Sequence, residues 1–131
     1  MRNAVALVMA LAAGANASPV CPAGTRPMTQ TELFFGRDIA GGAVVGEADW
    51  RRFADEEITP RFPDGLTVED AYGQWKGRDG AVVRERSKRV TIVLAGAPGE
   101  AAKLEAVREA YKRLFHQESV MLVEYQVCGS L

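Results

Sequence analysis

The sequence predicts an α+β fold in which an antiparallel sheet carries two helices on one face. Four segments have the two-residue alternation or the β-branched and aromatic composition of strands. Two further segments repeat apolar residues at the three- and four-residue spacing of amphipathic helices. Their order along the chain is strand, helix, strand, strand, helix, strand. This βαββαβ order is typical of a ferredoxin-like two-layer sandwich.

The first predicted strand covers residues 29–35. Alternation places Phe34 on the face away from the core and three other residues on the core face: Thr31, Leu33 and Phe35. The glycine-rich segment 36–46 follows this strand. We interpret the segment as a flexible connection, because it lacks both the Gly-Lys-Ser/Thr ending and the G-x-G-x-x-G spacing of phosphate-binding loops.

The two predicted helices cover residues 47–57 and 100–117. The first ends before Pro60, because proline disfavours the helical conformation in the residue that precedes it. Its apolar stripe consists of Trp50, Phe53, Ala54 and Ile58. The stripe of the second helix consists of Leu104, Val107, Tyr111, Leu114 and Phe115.

A hairpin is predicted between the helices, with strands over 66–76 and 81–95 joined by the Gly-Arg-Asp-Gly reversal at 77–80. The charged run 84–89 would place charges on both faces of the second strand. We therefore expect either a β-bulge or an exposed extension of the hairpin there. The last strand is predicted over 119–127, where four apolar residues alternate: Met121, Val123, Tyr125 and Val127.

The N-terminus has the layout of a secretory signal peptide. A basic start is followed by an apolar run to Gly14, and a small-x-small site ends at Ala17. We expect cleavage after Ala17 and export to the periplasm or the extracellular space. Residues 18–28 are then an extended leader and residues 29–131 a single domain. The apolar run is too short for a permanent membrane span, and the sequence after it has no second run of that kind.

The two cysteines, Cys21 and Cys128, are expected to form a disulfide that joins the two ends of the exported chain. Right-handed crossovers place the first and last strands side by side, which brings these cysteines to the same edge. Export permits their oxidation. A reactive thiol pair is the alternative, but such pairs usually lie close in sequence, as C-x-x-C.

Composition and motifs exclude several classes of function. A net charge of −1 with both signs interspersed gives no basic surface for nucleic acid or for anionic lipid. His116 is the only histidine in the sequence, so no zinc-ligand pattern is present. Neither a G-x-S-x-G motif nor a paired catalytic carboxylate is found, since Glu56 and Glu57 are adjacent on a helix. We therefore predict no catalytic residue, no metal and no cofactor.

A half-covered sheet leaves one face free for binding. The candidate binding residues are polar and aromatic: Glu32, Arg61, Tyr72, Trp75, Arg86, Lys88 and Gln117. Such a set can take an anionic small molecule, with Arg61 and Arg86 as guanidinium forks. Alternatively the face pairs with a second copy that buries Phe34. Arg61 also has a purely structural interpretation, in which it satisfies acceptors around the turn before Pro63.

Several motifs resemble a family of small bacterial proteins known as domain of unknown function 3574. They are T-E-L-F-F-G (31–36), W-x-x-F (50–53), T-P-R-F-P-D-G-L-T-V (59–68), G-Q-W (73–75), E-R-S-K (85–88) and Q-E-S-V (117–120). The resemblance covers nearly all of the chain after the signal peptide. It implies a bacterial, exported or envelope-associated protein, and it implies no reaction and no catalytic residues.

These observations favour a non-catalytic exported module that is homodimeric and binds a small molecule or an envelope protein. The alternative is a small enzyme or cofactor-handling protein of the dimeric ferredoxin-like type, with a site around Arg61, Arg86 and Gln117. A thiol redox protein is the third and least favoured class.

Overall fold

The computed structural model describes residues 20–131, and the predicted signal peptide lies outside the described residues. The strands are β1 (Arg26–Gly36), β2 (Thr67–Lys76), β3 (Val82–Leu94) and β4 (Met121–Gly129). The helices are α1 (Glu47–Phe53), which continues as a π-helical turn over Ala54–Ile58, and α2 (Glu100–Phe115). Each predicted element is therefore present, and β1 begins three residues before the predicted strand.

The four strands form one antiparallel sheet in the order β2-β3-β1-β4. The first and last strands are neighbours, as right-handed crossovers require. Pro27 lies opposite Cys128 in this pair, and the Cys21 and Cys128 sulfur atoms are bonded at 2.10 Å. The structure thus confirms the ferredoxin-like fold and the disulfide between the two ends of the domain. None of the described helices is long and apolar enough to cross a membrane.

The two faces of the sheet differ sharply in burial. On the face that packs against the helices, Thr31, Leu33 and Phe35 are completely buried. Phe34 lies on the opposite face and is half-buried, as the alternation predicts. The core between the sheet and the helices includes Trp50, Phe53, Val90, Ile92, Leu104, Val107 and Tyr111.

Aromatic rings form the centre of this core. The Phe35 ring lies 4.8 Å from Tyr111, 5.2 Å from Trp50 and 5.7 Å from Phe53, measured between ring centroids. These separations are within the range in which tilted and edge-on aromatic pairs attract. The Tyr111 hydroxyl donates a hydrogen bond of 2.7 Å to the carbonyl of Gly36, and burial raises the pKa of Tyr111 well above its usual value. The last residue of β1 is therefore tied to α2.

Two local features go beyond the sequence-based expectations. The end of the first helix widens into a π-helical turn, because the Thr59 N–H bonds to the carbonyl of Ala54, five residues back. The segment 36–46 is an ordered small hairpin, in which Asp38 bridges Val44 and the N–H of Val45 bonds to the Arg37 carbonyl. The predicted connection between the first strand and the first helix is present, and these backbone hydrogen bonds shape it.

The charged run 84–89 has no bulge. Pairing between β2 and β3 is continuous from Thr67 opposite Thr91 to Lys76 opposite Val82. β1 pairs with β3 only from Ser87 onward, so the β2–β3 hairpin projects beyond the end of β1. The exposed hairpin extension, one of the two expected alternatives, is the one observed.

Candidate functional site

The candidate binding residues are distributed over separate parts of the fold. Register places Glu32 and Trp75 on the face of the sheet away from the helices, here called the open face. Tyr72, Arg86 and Lys88 lie on the opposite face, since Tyr72 pairs with Arg86 across β2 and β3. Arg61 and Gln117 lie in connections after the helices.

The structure does not bring Arg61, Arg86 and Gln117 together in one cavity. Arg61 lines a small cavity of about 200 Å³, Gln117 lines a different cavity of about 790 Å³, and Arg86 lines neither. The Arg61 guanidinium donates to the Glu57 carbonyl at 2.6 Å and to the Glu57 carboxylate at 2.8 Å. These contacts support the structural interpretation of Arg61, in which it holds the turn at the end of the first helix.

Lys88 is almost completely buried in an ion-pair network on the helix side of the sheet. Its ammonium lies 2.7 Å from a carboxylate oxygen of Asp70 and 2.9 Å from one of Glu47. Burial by itself would lower the pKa of Lys88, but hydrogen bonds to Asp70 and Glu47 outweigh it and raise this pKa. The hydrogen bond from Lys88 lowers the pKa of Asp70. The network explains how a lysine is accommodated beside the core.

This network predicts a stability that depends on pH. Because the pKa of Asp70 is lowered in the folded state, its contribution is complete above its unfolded pKa, near 4, and is lost as the pH falls through the folded value. We expect the difference in unfolding free energy between wild type and Lys88→Met to be larger near pH 6 than near pH 2. Urea unfolding of both proteins near pH 6 and near pH 2 measures this difference in unfolding free energy. In the Asp70→Asn background, the effect of Lys88→Met should depend less on pH. An effect of Lys88→Met that is equal at both pH values would contradict the contribution assigned to the Lys88–Asp70 ion pair.

The open face carries apolar side chains that the sequence analysis did not assign to binding. Register places Met121 opposite Phe34, and Tyr125 opposite Gln30, so the alternating apolar residues of β4 face away from the helices. Met121 is 55% exposed and Tyr125 48% exposed, whereas Leu122 on the other side packs against the core. Within residues 20–131, no helix covers this face.

A cavity of about 790 Å³ lies at one end of the open face. We call it the end cavity. It lies where the β2–β3 extension, the 36–46 hairpin and the connection between α2 and β4 meet. Its apolar lining consists mainly of Phe34, Ile39, Trp75, Val83 and Met121. Its polar lining consists mainly of Asp38, Glu85, Ser87, His116, Gln117, Glu118 and Ser119.

Hydrogen bonds hold the polar side of the end cavity in place. The Asp38 N–H donates to a carboxylate oxygen of Glu85 at 2.9 Å, and the Gln117 side-chain amide donates to the Asp38 carbonyl at 2.7 Å. Glu85 also packs closely over Gly36, where an added Cβ would lie 2.9 Å from the Glu85 Cδ. Burial raises the pKa of Glu85 above its usual value, against the hydrogen bond from Asp38.

His116 is the C-cap of α2 and is exposed. Its backbone is left-handed, with a φ of 52°, and its N–H bonds to the carbonyl of Lys112. This conformation ends the helix in the manner of an αL cap. Among the described residues, no group of three or more side chains has the composition and closeness of a metal site.

Comparison with solved structures shows the fold. A phage SAM lyase in complex with S-methyl-5′-thioadenosine superposes with a TM-score of 0.60 at 18% identity, over 82% of this chain and 85% of that chain. CutA from Synechococcus elongatus PCC7942 superposes with a TM-score of 0.51 at 8% identity, over 79% of this chain and 80% of that chain.

Comparison with curated proteins finds a match to part of a much longer enzyme. The glycine–tRNA ligase beta subunit of Histophilus somni (strain 2336) is 29% identical over 100 residues. The match takes in 76% of this chain and only 14% of the ligase subunit. The subunit of strain 129Pt matches to the same extent.

A family model covers nearly all of the described domain. The model is described as "Protein of unknown function (DUF3574)" and matches residues 30–131. This range contains all of the motifs on which the resemblance was based, from T-E-L-F-F-G to Q-E-S-V. The match confirms that resemblance, and the chain belongs to the DUF3574 family.

Proposed function

We propose that this protein is an exported, non-catalytic binding module that pairs with a second copy of itself through the open face. One observation carries the proposal: Met121 and Tyr125 of β4 point away from the core and stay about half exposed in a single chain. Exposed apolar groups that adjoin one another mark interaction surfaces in soluble proteins. Burying them against a second copy removes this area from water.

The arrangement of the open face suits a two-fold interface. Phe34 lies on the central strand β1, with Met121 opposite it on β4 and Arg89 opposite it on β3. Arg89 is bound to Glu69 at 2.6 Å, so polar pairs border the apolar centre. A surface with an apolar centre and a charge that is already paired buries no unpaired charge when it meets a second copy of itself.

The disulfide supports the export part of the proposal. Cys21 and Cys128 are bonded, and structural disulfides persist in oxidising compartments such as the periplasm and the extracellular space. Cleavage after Ala17 would leave Cys21 close to the new N-terminus, in the leader that the bridge fastens to β4.

Phe34→Asp tests the interface. A carboxylate at the centre of the open face would be buried and unpaired in the dimer, so we expect this variant to be monomeric. Size-exclusion chromatography with light scattering measures the mass. Tyr72→Asp is the matched control, because Tyr72 is 75% exposed on the other face, and it should remain dimeric. A monomeric wild-type protein at micromolar concentration would contradict the proposal.

A small-molecule-handling role is the second candidate function, and the end cavity is the observation that favours it. A volume of about 790 Å³ is within the range of small-molecule sites. Gln117 of the predicted set lines this cavity together with Trp75, whereas Arg61 and Arg86 do not. A site of this kind would therefore be built on different charged residues from those that the sequence suggested.

A further inference from the structure

We propose that the end cavity binds a small organic cation with an aromatic or alkyl body. Three acidic residues line the cavity, Asp38, Glu85 and Glu118, and no lysine or arginine is among the described residues that line it. This composition opposes the anionic ligand that the sequence suggested. The inference deepens the second candidate function and is tested separately from dimerisation, although Phe34 and Met121 belong both to the cavity and to the proposed interface.

The three acidic residues of the end cavity form no ion pair, whereas seven of the other fourteen acids within residues 20–131 do. Acids elsewhere in the described chain form ion pairs: Glu47, Asp49, Glu57, Glu69, Asp70, Glu105 and Glu109. None of the ion pairs within residues 20–131 includes Asp38, Glu85 or Glu118. Like charges that share a concave site repel one another, and a bound cation relieves that repulsion.

The floor of the end cavity suits the apolar body of such a ligand. Trp75 is 48% exposed and Met121 is 55% exposed, and both line the cavity with Phe34. An indole ring attracts a cation through the negative potential of its face, more strongly than other aromatic side chains do. The methionine thioether adds a polarisable surface that adapts to ligand shape. The floor and the carboxylates therefore favour the same class of ligand.

Glu85 is the best-oriented of the three carboxylates. The Asp38 N–H holds one of its oxygens, and Gly36 leaves the space that its carboxylate occupies. Gln117 in turn holds Asp38 from the α2–β4 connection. A carboxylate fixed before binding loses little conformational freedom when a cation arrives, which is the condition for an effective charge contact.

Three probes that share one aromatic ring and differ in charge test the proposal. We would titrate the full exported chain with benzyltrimethylammonium, benzyl alcohol and phenylacetate by isothermal calorimetry, with tryptophan emission as a second signal. We expect saturable binding of the cation, about tenfold tighter than that of the neutral alcohol. Phenylacetate should bind more weakly than benzyl alcohol. Equal affinities for the three probes, or no saturable binding of the cation, would overturn the proposal.

Matched variants locate the site and separate it from the dimer interface. Glu85→Gln keeps the acceptor for the Asp38 N–H and removes the charge, so it should weaken cation binding about fivefold and leave benzyl alcohol unchanged. Glu118→Gln, on an exposed side chain, is a second charge variant that leaves the fold intact. Glu56→Gln removes a charge on the exposed side of the first helix and should have no effect. An effect of Glu56→Gln equal to that of both cavity variants would overturn the assignment.

Failure of this proposal and failure of the dimer proposal give different results. Dimerisation is measured as mass in the absence of any probe, whereas cation binding is measured by titration. A monomeric protein that prefers the cation retains the end-cavity site and refutes only the interface. A dimer with no charge preference refutes only the ligand class.

Discussion

Reduction of the Cys21–Cys128 disulfide is expected to lower the free energy of unfolding by about 4 kcal/mol. The bridge joins residues 107 positions apart, so it closes almost the whole domain into one loop. In the chain-entropy model, such a link restricts the unfolded chain much more than the folded one. In the folded state, β1 and β4 already lie side by side, with Pro27 opposite Cys128. The bridge therefore demands little rearrangement of the native sheet.

Urea unfolding with and without dithiothreitol measures this effect. The matched control is the double variant Cys21→Ser/Cys128→Ser, which should have the stability of the reduced wild type and should not respond to the reductant. An unchanged unfolding midpoint on reduction of the wild type would contradict a stabilising role. If the thiols instead serve redox chemistry, mild reductant should open the bridge without any loss of stability.

Phe35→Ala is expected to lower the free energy of unfolding by about 3–5 kcal/mol. Phe35 has no exposed surface and lies against the rings of Trp50, Phe53 and Tyr111. Removing its ring leaves a cavity between the sheet and both helices, which this close-packed interior fills only in part. This decrease is a large share of the free energy of unfolding of an ordinary domain, which is roughly 5–15 kcal/mol.

The neighbouring residue supplies the control for this prediction. Phe34→Ala removes the same ring from the open face, where it is only half-buried, so the loss of stability should be much smaller. Phe35→Leu is a milder change at the core position and keeps the effect measurable if the alanine variant does not fold. Chemical denaturation followed by circular dichroism gives all three values. Equal losses for Phe34→Ala and Phe35→Ala would show that the two faces are buried to the same extent, contrary to the structure.

The position of the β4 side chains is the feature that most changes the functional interpretation. Met121 and Tyr125 show the alternation of a half-buried strand, and the sequence correctly predicts the strand from them. The structure places them on the open face and directs Leu122 into the core. A period of two indicates that a strand has two different faces, but it does not indicate which face a helix covers.

The candidate binding residues show a second limit of what can be predicted from the sequence. Tyr72 and Trp75 are three residues apart in one strand, so they lie on opposite faces of the sheet. Strand alternation, which can be read from the sequence, is enough to separate these two residues. By contrast, Asp38, Glu85 and Glu118 line one cavity although they belong to three segments that are distant in sequence. Each of these residues has an ordinary local context, and no motif links them.

The sequence by itself determined the order of the six elements, the fold class and the pairing of the two cysteines. The elements follow from local periodicity and turn residues, and their arrangement follows from the handedness of crossovers, which is the same in nearly all proteins. Only the tertiary structure decided which side of β4 is buried, and that acids and a tryptophan share the end cavity. Those properties depend on where α1 and α2 pack and on how far the β2–β3 hairpin projects, and both are set by contacts between residues far apart in sequence.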